Sequence, residues 1–310
     1  MFRRIHPFRV ARTAFYAFLS HDGWAIASHI ALSGLMSLFP FLILVTALAG
    51  MFGTRELADE AAKLLLEAWP KEVAGPIARE ISTVLTSARS DALTIGAALA
   101  LYFASSGVES LRIGLNRAYG DVEARSFYIL RLESILFVIL GAGAMLALAL
   151  FVVLGPTAIR FLVALQPEFG ILWRALNWWR LVIATSLITA ALLFAHLWLP
   201  AGRRTLVGIL PGAILTLGLW LAAGIAFGRY LDDFSQTYVT TYAGLATGMI
   251  ALVFLYWSAT MFLLGAELNA AVAHEKTLIE MEERAEDEDE NGVPSETTVE
   301  ETRTPETASR

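Results

Sequence analysis

Two uncharged apolar runs, residues 206–227 and 243–266, leave this chain few folds to choose from. Each is 22 residues or longer. At about 1.5 Å of rise per helical residue, either crosses the roughly 30 Å hydrocarbon layer of a bilayer. In lipid a backbone has to satisfy its own N–H and C=O groups, so both runs are read as membrane helices. The polar segment between them, 228–242, is read as a hinge on the far side of the membrane.

The rest of the chain has the same character, with 56% hydrophobic and only 17% charged residues, well beyond the apolar share of a soluble domain. Four more spans are expected, at about 26–52, 92–112, 132–154 and 181–199. Pro40 should kink the first, and Gly155-Pro156 should stop the third. The expected fold class is therefore all-α, a polytopic membrane helix bundle with six transmembrane helices.

Two surface elements are added to that bundle. Residues 1–20 carry Arg3, Arg4, Arg9 and Arg12 beside Phe8, Ala11, Phe15, Phe18 and Leu19 at helical spacing, the pattern of an interfacial helix on an anionic leaflet. A cleaved signal is not expected, because His21-Asp22 interrupts the basic start and the following run is too long for an h-region. In the first external loop, Leu57, Ala61, Leu64 and Leu65 mark one amphipathic helix and Ile77, Ile81, Val84 and Leu85 another. The chain divides into that N-terminal helix at 1–20, a six-span domain at 21–273 and an acidic tail at 274–310.

The formal charge of −6 belongs to the tail, since residues 275–310 hold 13 acidic and 4 basic residues, leaving 16 acidic and 19 basic elsewhere. Such a carboxylate-rich segment buries too little apolar surface to order itself, and a disordered tail is expected. Arginines mark one face of the membrane: the N-terminal four, then Arg112, Arg117, Arg125 and Arg131, then Arg203 and Arg204. The opposite face has only Arg160, Arg174 and Arg229 in its later loops. By the positive-inside rule both termini are cytoplasmic.

Short motifs sharpen this picture. Pro211-Gly212-Ala213 opens one span and Tyr230-Leu231 ends it; Tyr242-Ala243-Gly244 opens the next and Gly265-Ala266-Glu267-Leu268-Asn269 closes it. Upstream stand Leu38-Phe39-Pro40 and Asn116-Arg117-Ala118-Tyr119-Gly120. Together, over roughly residues 25–273, these resemble the YihY/BrkB family of bacterial inner-membrane proteins, once labelled ribonuclease BN. The resemblance implies a multi-pass inner (plasma) membrane protein, and it adds weight to Asn116, Tyr119, Tyr242, Gly265, Glu267 and Asn269, which stand at motif positions.

Polar side chains inside spans are the candidate functional groups, because lipid exposure is costly for them. His29, Ser33 and Ser37 share one stripe of the first span, and Ser105, Glu109, Arg112 and Asn116 share one of the second. Thr185, Thr189 and His196, then Tyr256, Thr260 and Glu267, form two more, with Asn269 just beyond. Four stripes pointing at one another would line a cytoplasm-facing polar vestibule of His29, Ser33, Ser105, Glu109, Arg112, Asn116, His196, Glu267 and Asn269. The structural alternative is that these groups snorkel, pair locally or bond their own helices. Asp232, Asp233, Tyr238 and Tyr242 form a candidate outer hinge. Gly224 with Gly228, and Gly244 with Gly248, read as small-residue pairs for close helix packing.

Enzyme signatures do not accompany these stripes. The chain has no cysteine, which excludes disulfides, thiolate metal sites and a cysteine nucleophile. The five histidines lack zinc-ligand spacing, and there is no Walker loop, nucleophile elbow or dinucleotide fingerprint. An acidic tail repels nucleic acid, so ribonuclease is the least favoured reading. No cofactor or metal is expected. The leading expectation is a transporter that moves an amphipathic, lipid-like or ionic substrate, with membrane lipids as partners; the alternative is a non-catalytic envelope scaffold. An oligomer is compatible with either.

Overall fold

A computed structural model describes residues 6–51, 93–165, 170–242 and 246–290. The two amphipathic helices expected at 54–89 fall outside the described residues, as does the tail beyond residue 290. Among the described residues there are seven helices and no strand: α1 (Pro7–Ser20), α2 (Gly23–Met51), α3 (Leu93–Tyr119), α4 (Phe127–Leu165), α5 (Gly170–Trp198), α6 (Leu206–Tyr242) and α7 (Ala246–Glu290). The stretches Phe127–Leu148, Leu206–Tyr230 and Gly248–Asp287 are long and apolar enough to cross a membrane, and Gly23–Leu38 and Thr185–Trp198 are shorter apolar stretches.

Helix α6 starts at the expected residue 206, α4 and α5 start ahead of the expected 132 and 181, at Phe127 and Gly170, and several helices run on where hydropathy alone stops them. The segment 228–242, expected as a hinge, is the C-terminal part of α6. A fall in hydropathy marks an exit from lipid, whereas ending a helix takes a breaker, and residues 229–242 contain neither glycine nor proline. Likewise α4 continues past Gly155-Pro156 to Leu165, because a proline removes one N–H from the ladder and neighbouring structure can hold the helix through it. The tail is also shorter than expected, since α7 is helical to Glu290. Glu, Met, Leu, Ala and Arg are good helix formers, and extending an existing helix needs no new nucleus. The next breakers are Gly292 and Pro294.

Helix α2 packs along α3 and α7, α6 along α7, α3 against α4, and α1 across α7. The main core joins Phe18, Ile30, Leu115, Leu199, Phe262 and Leu263, while a second cluster sits around Val45, Ala104 and Val138. Outside the bundle, Met36, Val207, Ile214 and Leu221 are each about two-thirds exposed or more (70%, 70%, 66% and 69%). Apolar surface of that extent marks contact with lipid or partner protein.

Helix α1 is more than a surface float. Pro7 opens it at a position where the missing N–H is harmless, and Val10 and Ala14 are buried against Ala271 of α7. Arg9 Nε donates to Glu275 Oε1 at 2.9 Å. Its other side leaves Phe8, Phe15, Tyr16 and Leu19 exposed, so the interfacial pattern and the docked face coexist.

The tightest contact in the bundle is between α6 and α7. A Cβ on Gly212 would run into the carbonyl oxygen of Gly265, and one on Gly265 would meet Thr216 Oγ1 and the Gly212 carbonyl. The expected packing glycines behave differently, because a Cβ on Gly224, Gly228 or Gly248 would meet nothing within 4 Å; Gly244 falls outside the described residues. Helices α6 and α7 touch at Gly212 and Gly265 and leave space at Gly224, Gly228 and Gly248.

Candidate functional site

Polar side chains gather at one end of the bundle, where α3 ends, α4 begins, α5 ends and α6 begins. Helix α3 closes in a Schellman motif: Asp121 N–H bonds the Asn116 carbonyl at 2.8 Å, Gly120 N–H bonds the Arg117 carbonyl at 3.2 Å, and Gly120 has φ +70°. That turn aims Asn116 at the next loop. Its Oδ1 accepts from Ala201 N–H at 2.8 Å and its Nδ2 donates to Glu123 at 3.0 Å.

Glu123 is gripped in turn by Arg125, with Nε to Oε1 and Nη2 to Oε2 both at 2.8 Å and the backbone N–H at 3.1 Å. These bonds from Arg125, helped by Asn116, outweigh burial and hold the Glu123 carboxyl well below the ordinary 4.5, at about 2. Arg125 also donates to Glu133 at 2.9 Å and to the Leu199 carbonyl at 3.0 Å. Beside it Asp121 binds Arg204, whose guanidinium lies 3.6 Å from the centre of the Tyr119 ring.

A hydrogen-bond chain then runs inward. Gly212 N–H donates to Asn269 Oδ1 at 2.6 Å, which makes Asn269 Nδ2 the donor to Tyr119 Oη at 3.2 Å. Tyr119 in turn lies 2.8 Å from His196 Nδ1. Which of the two donates follows the imidazole tautomer, and the other ring nitrogen of His196 is Nε2. That Nε2 is buried without a partner among the described residues, in a ring 4.9 Å from that of Phe262. The family-like motifs at Pro211-Gly212 and Gly265–Asn269 thus interlock with each other and with Tyr119.

Other expected site residues are placed nearby but serve separate ties. Arg112 is buried to 2% exposure and donates to the Leu130 carbonyl and Ser134 Oγ, each at 2.9 Å. Glu109 accepts from Arg131 at 2.5 Å. Glu267, also buried, bonds His21 Nδ1 at 2.8 Å in the α1–α2 turn. Ser105 is buried and bonds the carbonyl of Tyr102 at 2.7 Å. Ser33 is half-buried, and His29 is exposed on α2. The structure therefore joins His196 and Asn269 through Tyr119, ties Asn116 to the neighbouring cluster of Glu123, Arg125 and Glu133, which Arg112 also reaches at 3.8 Å, ties Glu109 and Glu267 to other partners, and leaves His29 on the outside. The side chains of Asp232, Asp233, Tyr238 and Tyr242 lie outside the described residues.

Open space lies elsewhere. A groove of about 790 Å³ runs between α6 and α7, lined by Trp220, Gly224, Phe227, Tyr230, Phe254 and Trp257 among others. A second cavity of about 520 Å³, no more enclosed than the groove, is walled by all the helices from α2 to α7, with Gly34, Leu111, Phe137, Ala195 and Phe262 among its lining. None of the nine expected vestibule residues lines either space. Sequence reasoning missed Trp220, Gly224 and Ser258 as cavity residues. The available signal was the run of small residues 222–224 together with the aromatic residues Phe254, Tyr256 and Trp257.

An all-helical bundle with bilayer-length apolar helices, apolar outer surface and polar groups cross-tied at one end is the build of an integral membrane protein. The chain belongs to the family described as virulence factor BrkB, whose model matches residues 14–291. It is 26% identical over 269 residues to the ribonuclease-like protein YfkH of Bacillus subtilis (strain 168), covering 85% of this chain and 95% of that protein. No solved structure matches the chain.

Proposed function

We propose that this is a six-span inner-membrane protein with both termini cytoplasmic that moves an amphipathic lipid between leaflets. The observation that carries the reading is the pair of cavities. Both fall within the roughly 300–1,000 Å³ typical of ligand sites, and both are walled by apolar side chains on helices of hydrocarbon depth. A small-ion path would need polar groups facing the open space. Here the polar groups of the loop end are engaged with one another, which favours lipid over ion.

In this reading the polar end, with Arg117, Arg125, Arg131, Arg203 and Arg204, sits at the cytoplasmic surface. The test is a reconstituted vesicle carrying a fluorescent phospholipid, with a membrane-impermeant quencher added outside. Lipid exchange faster than in protein-free vesicles, and slowed by Gly224→Leu, is expected. Equal rates with and without protein would sink the reading.

A scaffold role has one observation in its favour, the helical extension of α7 to Glu290, which offers a surface to a partner. Truncation after Lys276 separates the two, since a transporter keeps its exchange activity and a scaffold loses its partners. The ribonuclease-like name of the YfkH relative is not carried over to this chain. Purified protein with magnesium and labelled RNA should leave the RNA intact, and cleavage would replace the present reading.

A further inference from the structure

An ion pair stands on the outer face of the bundle. Glu109 of α3 accepts from Arg131 Nη1 of α4 at 2.5 Å, and Arg131 Nη2 donates to the Tyr102 carbonyl at 2.7 Å. On α3, Tyr102, Glu109 and Ile113 share one side at i, i+7 and i+11, and Tyr102 and Ile113 are about half exposed (48% and 51%). Leu132 and Leu136 are exposed on α4, and the Glu109 side chain is 29% exposed. We propose that Glu109 and Arg131 bind the headgroup of a zwitterionic phospholipid, the guanidinium taking its phosphate and the carboxylate its ammonium. This rests on the lipid reading above and adds the class of headgroup and the place where it is held.

Depth sets this pair apart from the polar end. A Cβ on Gly107 would meet Ser37 and Gly34 of α2, and one on Gly34 would meet Leu255 of α7. One turn from Leu255, the Ser258 carbonyl holds the indole of Trp220 on α6. Gly107 is therefore level with Trp220 to within about one helical turn. At helical rise Trp220 lies about 21 Å from Leu206 and about 15 Å from Tyr230, the two ends of the apolar stretch of α6. With α6 crossing the membrane as proposed above, Glu109 and the guanidinium lie inside the hydrocarbon layer. Arg131 does not snorkel out of it. Its head reaches the Tyr102 carbonyl, seven residues further than Glu109 from the cytoplasmic end of α3.

Charge selects the occupant. Charged groups facing lipid are costly, and water and headgroups are drawn inward to meet them. The pair is neutral as a whole, so an anionic headgroup would leave one negative charge unmatched at that depth. A zwitterion brings one charge of each sign and turns one ion pair into two. Arg131 also has an unspent donor, since its Nε is buried without a partner among the described residues, and a phosphate beside the guanidinium would give it an acceptor. The planar fork suits phosphate through two N–H groups at once. The Tyr102 ring, 3.7 Å from Arg131 Cζ, supports that plane.

The test takes the full chain from vesicles holding equal amounts of phosphatidylethanolamine and phosphatidylglycerol into mild detergent, and counts retained lipid by native mass spectrometry. Wild type is expected to retain phosphatidylethanolamine over phosphatidylglycerol by about tenfold, the factor that one hydrogen bond to a charged group is worth. Glu109→Gln leaves the guanidinium alone and should turn the preference towards phosphatidylglycerol. Glu109→Gln combined with Arg131→Gln keeps polar partners without charge and should retain the two lipids equally. A pair that only staples α3 to α4 would change stability and leave the lipid ratio as it was. That result overturns the site, as does a wild type with no preference.

Depth is read on its own with nitroxides, one on Phe103→Cys beside the pair and one on Leu221→Cys of α6, both exposed positions. A water-soluble nickel chelate should relax the label at Phe103→Cys more strongly, because headgroups and water reach in beside the pair; equal protection at both positions overturns the site. Retention reads binding and the exchange assay reads movement, so the two claims fail separately. A lipid preference that follows the charges without lipid exchange ends the transport reading alone, and exchange without such a preference ends this site alone.

Discussion

Asn269 spends both ends of its amide on residues from other helices, one on Gly212 N–H and the other on Tyr119 Oη. Asn269→Ala leaves a buried N–H without that acceptor and frees the tyrosine, a loss of about 1–3 kcal/mol. Thermal unfolding in detergent should show a clear fall, and a variant as stable as wild type would mean the chain of bonds carries no stability. Glu123 makes a pH-dependent claim. Its carboxyl is held at about 2 in the folded protein against an ordinary 4.5, so its stabilising contribution is complete above pH 4.5 and is lost as pH falls towards 2. The stability difference between wild type and Glu123→Gln should therefore be largest near neutral pH and shrink through that window; a difference flat with pH contradicts the assignment. At this scale the sequence was half legible. Helical spacing placed Ser105, Glu109, Arg112 and Asn116 on one stripe, and they do share α3. What spacing leaves open is whether a stripe faces a void or another side chain, because Asn116 finds Ala201 85 residues away and Tyr119 finds Asn269 150 residues away. His29 shows the same gap, since it shares a stripe with Ser33 and yet points outward.

Among elements, the contact of α6 with α7 has the least tolerance. Gly212→Ala places a methyl against the Gly265 carbonyl, a backbone atom that cannot swing aside. Overpacking of that kind costs about 1–3 kcal/mol, and both Gly212→Ala and Gly265→Ala should lower the unfolding temperature, whereas Gly228→Ala, which meets open space, should not. Equal effects at all three positions would show that intrinsic helix propensity, and not the crossing, is being measured. Helix existence was legible from hydropathy, because each apolar run is long enough to demand a helix in lipid. The ends were not, since α6 and α7 continue through polar sequence that contains no breaker. Which glycines bring helices together also escaped the sequence, because a small residue permits a close approach without requiring one. Gly224 and Gly228 leave a groove, and Gly212 and Gly265 close a joint.

For the whole molecule, the all-α membrane class followed from two runs of residues, and the absence of cysteine makes the orientation simple to check. Single cysteines at Arg203 and at Arg229, probed with an impermeant maleimide in intact cells and in inverted vesicles, should label from opposite sides, with Arg203→Cys reached only in the inverted ones. Labelling of both from one side would break the proposed six-span topology. The cavities were not legible, because they are differences between helices and no stretch of sequence describes a gap. A last consequence concerns how such a chain is made. Arg9 is fastened to Glu275, 266 residues later, so the first helix leaves the ribosome long before its seat on α7 exists. At about 5–20 residues per second the wait is roughly 15–50 s. During that time Val10 and Ala14 have no partner, and the nearest cover for them is the membrane surface. Docking of α1 therefore waits for α7, which draws it off the bilayer and into place.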